Sequence, residues 1–266
     1  MNIVVCIKQV IDPEAPPASF KIDSAANKVL PPKGIDPVIS PFDENALEAA
    51  LKIKDAQGGK ITVISLGNEL NRDVVKKPLA MGADELILLE DDAFSEGDSQ
   101  STAYALAMAI KKIGEYDIIF CGRQAADWDS GQVGLLIAEI LDLPVVTLAR
   151  KIEGSDGKAN IERLIPDGYE KIEVDLPAVI TVSNELGEPR YPTIRGIMAS
   201  KKREPIVWSP ADIDAEITQI VSAAHHTKLI KLFQPVRDGE CEIIEEGNPE
   251  GMAISLALKM REAKII

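Results

Sequence analysis

The sequence predicts an α/β domain: a doubly wound, mainly parallel sheet of the Rossmann-like kind, with an added antiparallel segment and a C-terminal arm. Three observations predict it. Short β-branched runs alternate with longer stretches of helical period. The strand runs are almost continuously apolar, as in strands covered on both faces of a parallel sheet. The length of 266 residues lets one such domain bury a sizeable core without disulfide or metal staples.

In chain order, the expected strands are Ile3–Ile7, Ile61–Leu66, Glu85–Leu89, Ile118–Cys121, Val145–Leu148 and Ala178–Val182. Helices are expected at Asp43–Gln57, Leu70–Met81, Ser99–Ile113 and Ser130–Leu141. In the first helix Ala46, Leu47, Ala50, Leu51 and Ile53 form the apolar stripe, Glu44, Glu48, Lys52 and Lys54 lie mostly off it, and Asp43 reads as the N-cap. The proline-rich stretch 12–42 reads as an irregular excursion with a short hairpin around Phe20–Leu30. From about residue 151 the pattern turns antiparallel, through Lys158–Leu164, Gly168–Val174 and the run 178–182. After Lys201 the chain reads as loop, then an acidic stretch Asp238–Glu250 and a final helix from about Pro249 to Ala263. The expected division is a domain at 1–205 and a linker with a docking arm at 206–266.

Composition narrows the function. Lys and Arg total 29 against 43 Asp and Glu, a net charge of −14, which argues against a nucleic-acid footprint and against attachment to anionic lipid. The only histidines, His225 and His226, leave little for imidazole acid–base or zinc chemistry, and no metal site is expected. Cys6, Cys121 and Cys241 contain no CxxC pair, so neither a disulfide framework nor an iron–sulfur site is expected. No run is apolar for long enough to span a membrane, and MNIVVCIKQV is too short a run for a signal peptide. The expected compartment is the cytoplasm.

Walker A, GxGxxG, GxSxG and HExxH patterns are absent, and no nucleophile–base pair is evident, so no catalytic residue is expected. Ligands of open α/β sheets collect at the carboxyl ends of the strands. The longest polar loop there runs from Cys121 to Gly134, reading CGRQAADWDSGQVG. Asp129 with Gln132 resembles a capping box, so a helix is expected near Ser130. Its free N–H groups, with Gly131 and Gly134 permitting close approach, would suit a diphosphate. Asp127 and Asp129 would then cap the helix or reach ribose and ring atoms. An ordinary capped connection explains the same spacing, and Trp128 reads equally as a lid on a flat ring or as packing.

Several segments resemble the beta subunit of electron transfer flavoproteins. They are VVCIKQV from Val4, PFDENALEAA from Pro41, LAMGAD from Leu79, GRQAAD from Gly122, GQVG from Gly131, LPAV from Leu176 and EPRY from Glu188, followed by Ile197-Met198-Ala199. They run in family order from residue 2 to about 205. The resemblance implies a heterodimer with a flavin-carrying alpha subunit. It places nucleotide contacts on Cys6, on Ser40, Pro41, Phe42 and Asp43, on Leu66, and on Asp127, Trp128, Asp129, Ser130, Gly131, Gln132, Val133 and Gly134. The stretch DWDSGQVG, preceded by Gly122-Arg123, is similar to the electron-bifurcating members. There the beta site holds FAD reduced by NADH, and the electrons divide between a partner dehydrogenase, of acyl-CoA or flavin lactate type, and ferredoxin or flavodoxin. The alternative is a structural AMP; a lone nucleotide-binding module is a further one. Arg190–Ala199 resembles the family's recognition loop, which implies partner docking by Arg190, Tyr191, Ile194, Arg195, Ile197 and Met198, with Ile194 as the apolar anchor.

Overall fold

A computed structural model of the chain describes residues 1–95, 97–155, 157–221, 225–235, 241–245 and 247–266. The chain begins with β1 (Asn2–Ile7), β2 (Gln9–Val10), the hairpin β3 (Lys21–Asp23) and β4 (Lys28–Leu30), and β5 (Val38–Ile39), which pairs with β2. Then follow α1 (Pro41–Gln57), β6 (Lys60–Gly67), α2 (Arg72–Val75), α3 (Lys77–Met81), β7 (Glu85–Glu90), α4 (Ser99–Ile113), β8 (Ile118–Gly122) and α5 (Val133–Leu141). The antiparallel segment is β9 (Val145–Ser155), β10 (Lys158–Ile165) and β11 (Gly168–Asp175), followed by β12 (Ala178–Val182), α6 (Ile194–Ser200) and β13 (Ile206–Trp208).

Among the described residues, nine strands form one sheet in the order β11-β10-β9-β12-β8-β1-β6-β7-β13. Pairing is parallel from β9 to β13, and antiparallel where β10 joins β9 and β11, so the run 178–182, expected to continue the antiparallel pattern, instead pairs parallel with both of its neighbours as β12. The mainly parallel α/β class expected from the sequence is what forms. Alternate residues of β1 serve opposite cores, as the period-2 rule requires. Ile3, Val5 and Ile7 pack with α1 residues such as Leu47 and Leu51, and Val4 and Cys6 pack with α4 and α5.

The differences from the expected elements have local causes. One helix was expected over Leu70–Met81; two short helices form, meeting at Lys76 just before Pro78, which has no N–H to continue the first. β9 runs on to Ser155, past the expected Leu148, because its outer half alternates as a half-exposed hairpin strand rather than staying apolar. Residues 206–208, read as loop, form edge strand β13, too short to carry a periodic signal. The compact units are Met1–Lys231 and Leu232–Ile266.

In the second unit α7 (Pro249–Glu262) starts at Asn248, whose side chain accepts the Gly251 N–H at 2.7 Å, and Lys259 pairs with Glu242. Ile254, Leu256 and Leu258 on this helix are exposed. Asp238, Glu240 and Glu246 of the acidic stretch lie outside the described residues.

After β1 the chain moves to one side, to β6 and β7, and then returns to the other side as β8. The carboxyl ends of β1 and β8 therefore flank a topological switch point, where open α/β sheets take their ligands.

Candidate functional site

The site is built around the first turn of α1. The β2–β5 pairing delivers Ser40 next to the end of β1, where its N–H bonds the Lys8 carbonyl at 2.9 Å. Pro41 then opens the helix, where a missing N–H costs nothing. Asp43 does not act as the N-cap. Ser40 holds that position, and the Asp43 carboxylate crosses the switch point instead. One oxygen accepts the Lys8 N–H at 2.8 Å, and the other accepts the Gly122 N–H at 3.0 Å. Burial pushes the Asp43 carboxyl up to about 7, against the pull of both N–H bonds and of the Lys8 charge, while Asp127 adds to the rise. Gly122 belongs to this arrangement, because a Cβ there would lie 2.4 Å from an Asp43 oxygen.

The loop after β8 is fastened to the same edge. Asp127 pairs with the Lys8 ammonium at 2.7 Å, and the Ala126 N–H reaches the Ser40 hydroxyl at 3.3 Å. Asp129 takes a left-handed conformation, φ 52°, and accepts the Gln124 amide at 2.9 Å. Gly131 is left-handed as well, at φ 61°. These two residues turn the chain, so the helix starts at Val133 rather than near Ser130, and the expected Asp129–Gln132 capping box does not form. Gln132 occupies the N-cap position without a side-chain cap bond. Among the described residues, no side chain caps the first N–H groups of α5, and they carry the positive end of the helix dipole.

Neighbouring residues shape the rim. Trp128 is 57% exposed. The Ser130 hydroxyl lies 3.4 Å from that of Ser99 at the start of α4, so two helix N-termini meet there. Gly134 has a packing role: a Cβ would stand 2.9 Å from Thr181 and 3.3 Å from the Cys121 Cβ, so the glycine lets α5 sit close on β8 and β12. Beneath lie Cys6, Leu66 and Cys121 in one apolar cluster. The Cys6 side chain, hydrogen-bonded to Cys121, and then burial, raise the Cys121 thiol well above its usual range, so it packs as a neutral group.

Cys6, Ser40 to Asp43, Leu66 and Asp127 to Gly134 are thereby gathered at the carboxyl edge of the sheet. Lys8 and Arg123 join them, in the loops that follow β1 and β8, to which the strand-end rule alone points. The Arg123 guanidinium lies 5.7 Å from the Phe42 ring, and its Nε is buried with no partner among the described residues. A surface depression lined by Asn2, Lys60, Thr62 and Glu115 is at the opposite, amino edge of the sheet.

The docking candidates occupy another patch, against α1 and α3. Arg190 is turned inward: its N–H and guanidinium bond the buried Glu48 at 2.9–3.1 Å, and the guanidinium also reaches Asp55 at 2.8 Å. Glu48, expected off the buried stripe, is covered because Arg190 neutralises it. Thr193 caps α6 by accepting the Gly196 N–H at 3.0 Å. Gly196 lies so close to α3 that a Cβ would clash with the Ala80 carbonyl. Ile194, expected on a loop, is the first residue of α6, 80% exposed beside Tyr191 at 91% and Met198 at 65%. Arg195 and Ile197 are exposed as well.

Residues 29–213 match the electron transfer flavoprotein domain. The chain belongs to the electron transfer flavoprotein family. Its likeness is to the family's beta subunits: it is 41% identical to the electron transfer flavoprotein subunit beta of Thermoanaerobacterium thermosaccharolyticum over the full length of both chains. The counterpart from Megasphaera elsdenii is 40% identical, again over both full lengths. Subunit CarD of the caffeyl-CoA reductase-Etf complex of Acetobacterium woodii is 39% identical with the same coverage. The family likeness therefore extends past residue 205 into the arm, where the sequence carried little signature.

Proposed function

We propose that this chain is the beta subunit of a heterodimeric electron transfer flavoprotein whose switch-point site binds FAD, takes electrons from NADH and divides them between two acceptors. One acceptor is a partner dehydrogenase of acyl-CoA or flavin lactate type, and the other is ferredoxin or flavodoxin. The observation that carries the reading is the first turn of α5, which has no side-chain cap and opens beside an exposed indole at Trp128. N–H groups there would hold a diphosphate. Asp127 and Asp129 are engaged by Lys8 and Gln124, so the phosphates fall to backbone donors and Ser130. Trp128 would cover a flat ring, and Gly131, without a side chain, leaves room beside it. When bound, the flavin supplies hydride acceptance and one-electron transfer, which no side chain of this chain provides.

Further support comes from the relative in the caffeyl-CoA reductase-Etf complex, whose name joins such a subunit to a reductase. A structural AMP is the second reading, because the same open helix turn suits a monophosphate. The site works in the cytoplasm on this account; among the described residues no helix is long and apolar enough to cross a membrane.

The test is anaerobic NADH oxidation by the heterodimer formed with the alpha subunit. Each NADH yields two electrons, one per acceptor, so oxidation is expected only when dehydrogenase and ferredoxin or flavodoxin are both present. Equal rates with the dehydrogenase alone would overturn bifurcation. Failure to copurify with an alpha subunit would overturn the heterodimer.

A further inference from the structure

Among the described residues, the Asp43 carboxylate is the one side chain that bonds the backbone on both sides of the switch point, at Lys8 and at Gly122. It is 7% exposed, and both of its oxygens already hold an N–H, so it has little surface left for a ligand. Its two partners are where the ligand-facing structure starts. Lys8 carries the ammonium that holds Asp127, and Gly122 begins the loop that ends in the open turn of α5. We propose that Asp43 is a positioning residue of the nucleotide site: its ionised carboxylate ties the ends of β1 and β8 together, and so fixes Lys8 and the 123–132 loop for binding, without itself touching the ligand. This rests on the reading of the switch point as a nucleotide site, but not on which nucleotide it holds.

The tie depends on charge state. A carboxylate accepts both N–H bonds, whereas a protonated carboxyl presents an O–H where one N–H points, and one strand end is released. Burial places this change near neutral pH. Other charged groups surround the start of α1. Lys8 and Asp127 stand at the strand ends, Arg123 lies over Phe42, and Glu185 follows β12. Glu44 and Lys77 pair with each other on the outer side. Lys8 pulls the Asp43 transition down, so removing its ammonium should move that transition up.

The test is equilibrium binding of FAD, whose diphosphate does not titrate near neutrality, to heterodimer stripped of its beta-site nucleotide, from pH 6 to 8.5. Wild type should bind about tenfold more weakly at the acid end, the loss expected for one charge-assisted hydrogen bond. Asp43→Asn should bind at the weak level throughout, with no bend. Lys8→Met should keep the bend and shift it to higher pH. A flat wild-type profile, or an unchanged bend in Asp43→Asn, overturns the proposal. If Asp43→Asn does not fold, Lys8→Met decides: a bend lost in that variant assigns the titration elsewhere. Should the site hold AMP, the same series is run with AMP, and the difference between variant and wild type isolates Asp43 from the ligand's own phosphate.

Discussion

Gly122 shows how tightly single residues are specified at the switch point. A methyl group there would stand 2.4 Å from an Asp43 oxygen and 2.8 Å from the Phe42 backbone carbon, and neither is free to move. Gly122→Ala is therefore expected to cost about 2–3 kcal/mol, read as a lower denaturation midpoint with an unchanged slope. Asp98 makes a second residue-scale prediction. It caps α4 by accepting the Gln100 and Ser101 N–H groups, and its other oxygen accepts the N–H groups of His226 and Thr227. Burial alone would raise this carboxyl. The bonds from Ser101, Thr227 and His226, with the His225 charge, outweigh burial and hold it at about 2. A lowered pKa adds stability that is complete above the ordinary value of 3.8 and is lost as pH falls through about 2. Asp98→Asn should therefore lower Tm at pH 7, by an amount matching the ~1 kcal/mol of an N-cap, and flatten the fall of Tm between pH 4 and 2. An unchanged acid limb in the variant would contradict the assignment. Asp43 behaves oppositely: its carboxyl is raised, so the folded state loses stability as pH rises from 3.8 to about 7. The ionised form that ties the strands is the form burial disfavours.

Among the elements, the approach to α6 is held by the buried Glu48 carboxylate on Arg190. Glu48 is 4% exposed on α1 and holds Arg190 by its N–H and its guanidinium, which sets where the segment toward α6 begins. Glu48→Ala leaves the partly exposed Arg190 without its main acceptor and should cost about 3 kcal/mol, with faster hydrogen exchange over residues 188–199. The apolar side chains on α6 make no such contribution to folding. Ile194→Ala is expected to weaken dehydrogenase coupling about tenfold or more while nucleotide content stays that of wild type. Loss of nucleotide instead would assign the helix a purely structural part. Element boundaries were readable where the signal is local. Helix α4 begins and ends as its sequence predicts, because Asp98 and Ser101 form a reciprocal cap within one turn. The starts of α1 and α5 were not readable in this way. Asp43 looks like a cap locally, but its partners lie 35 and 79 residues away. Asp129 and Gln132 have capping-box spacing, but two left-handed residues turn the chain before a helix can start.

For the molecule as a whole, the sheet and its two-sided core were legible because parallel strands are apolar on both faces and the crossover helices carry one buried stripe each. The carboxyl edge was legible as the candidate site because that position follows from topology once the strand order is known. What could not be read was which charges are spent internally. In the sequence, Arg190, Arg195, Lys201, Lys202 and Arg203 lie close together. Arg190 is taken up by Glu48 and Asp55, and Arg203 donates to the Ala83 carbonyl at 3.1 Å, while Arg195, Lys201, Lys202 and Arg203 are all exposed. The net charge of −14 is thus unevenly spread around a small basic patch beside α6. On the function proposed above, the switch-point site holds a second redox-active flavin, and extraction and quantification of nucleotides from the purified heterodimer will decide whether it does. Two FAD per heterodimer and no AMP is the predicted result; one FAD with one AMP would contradict it.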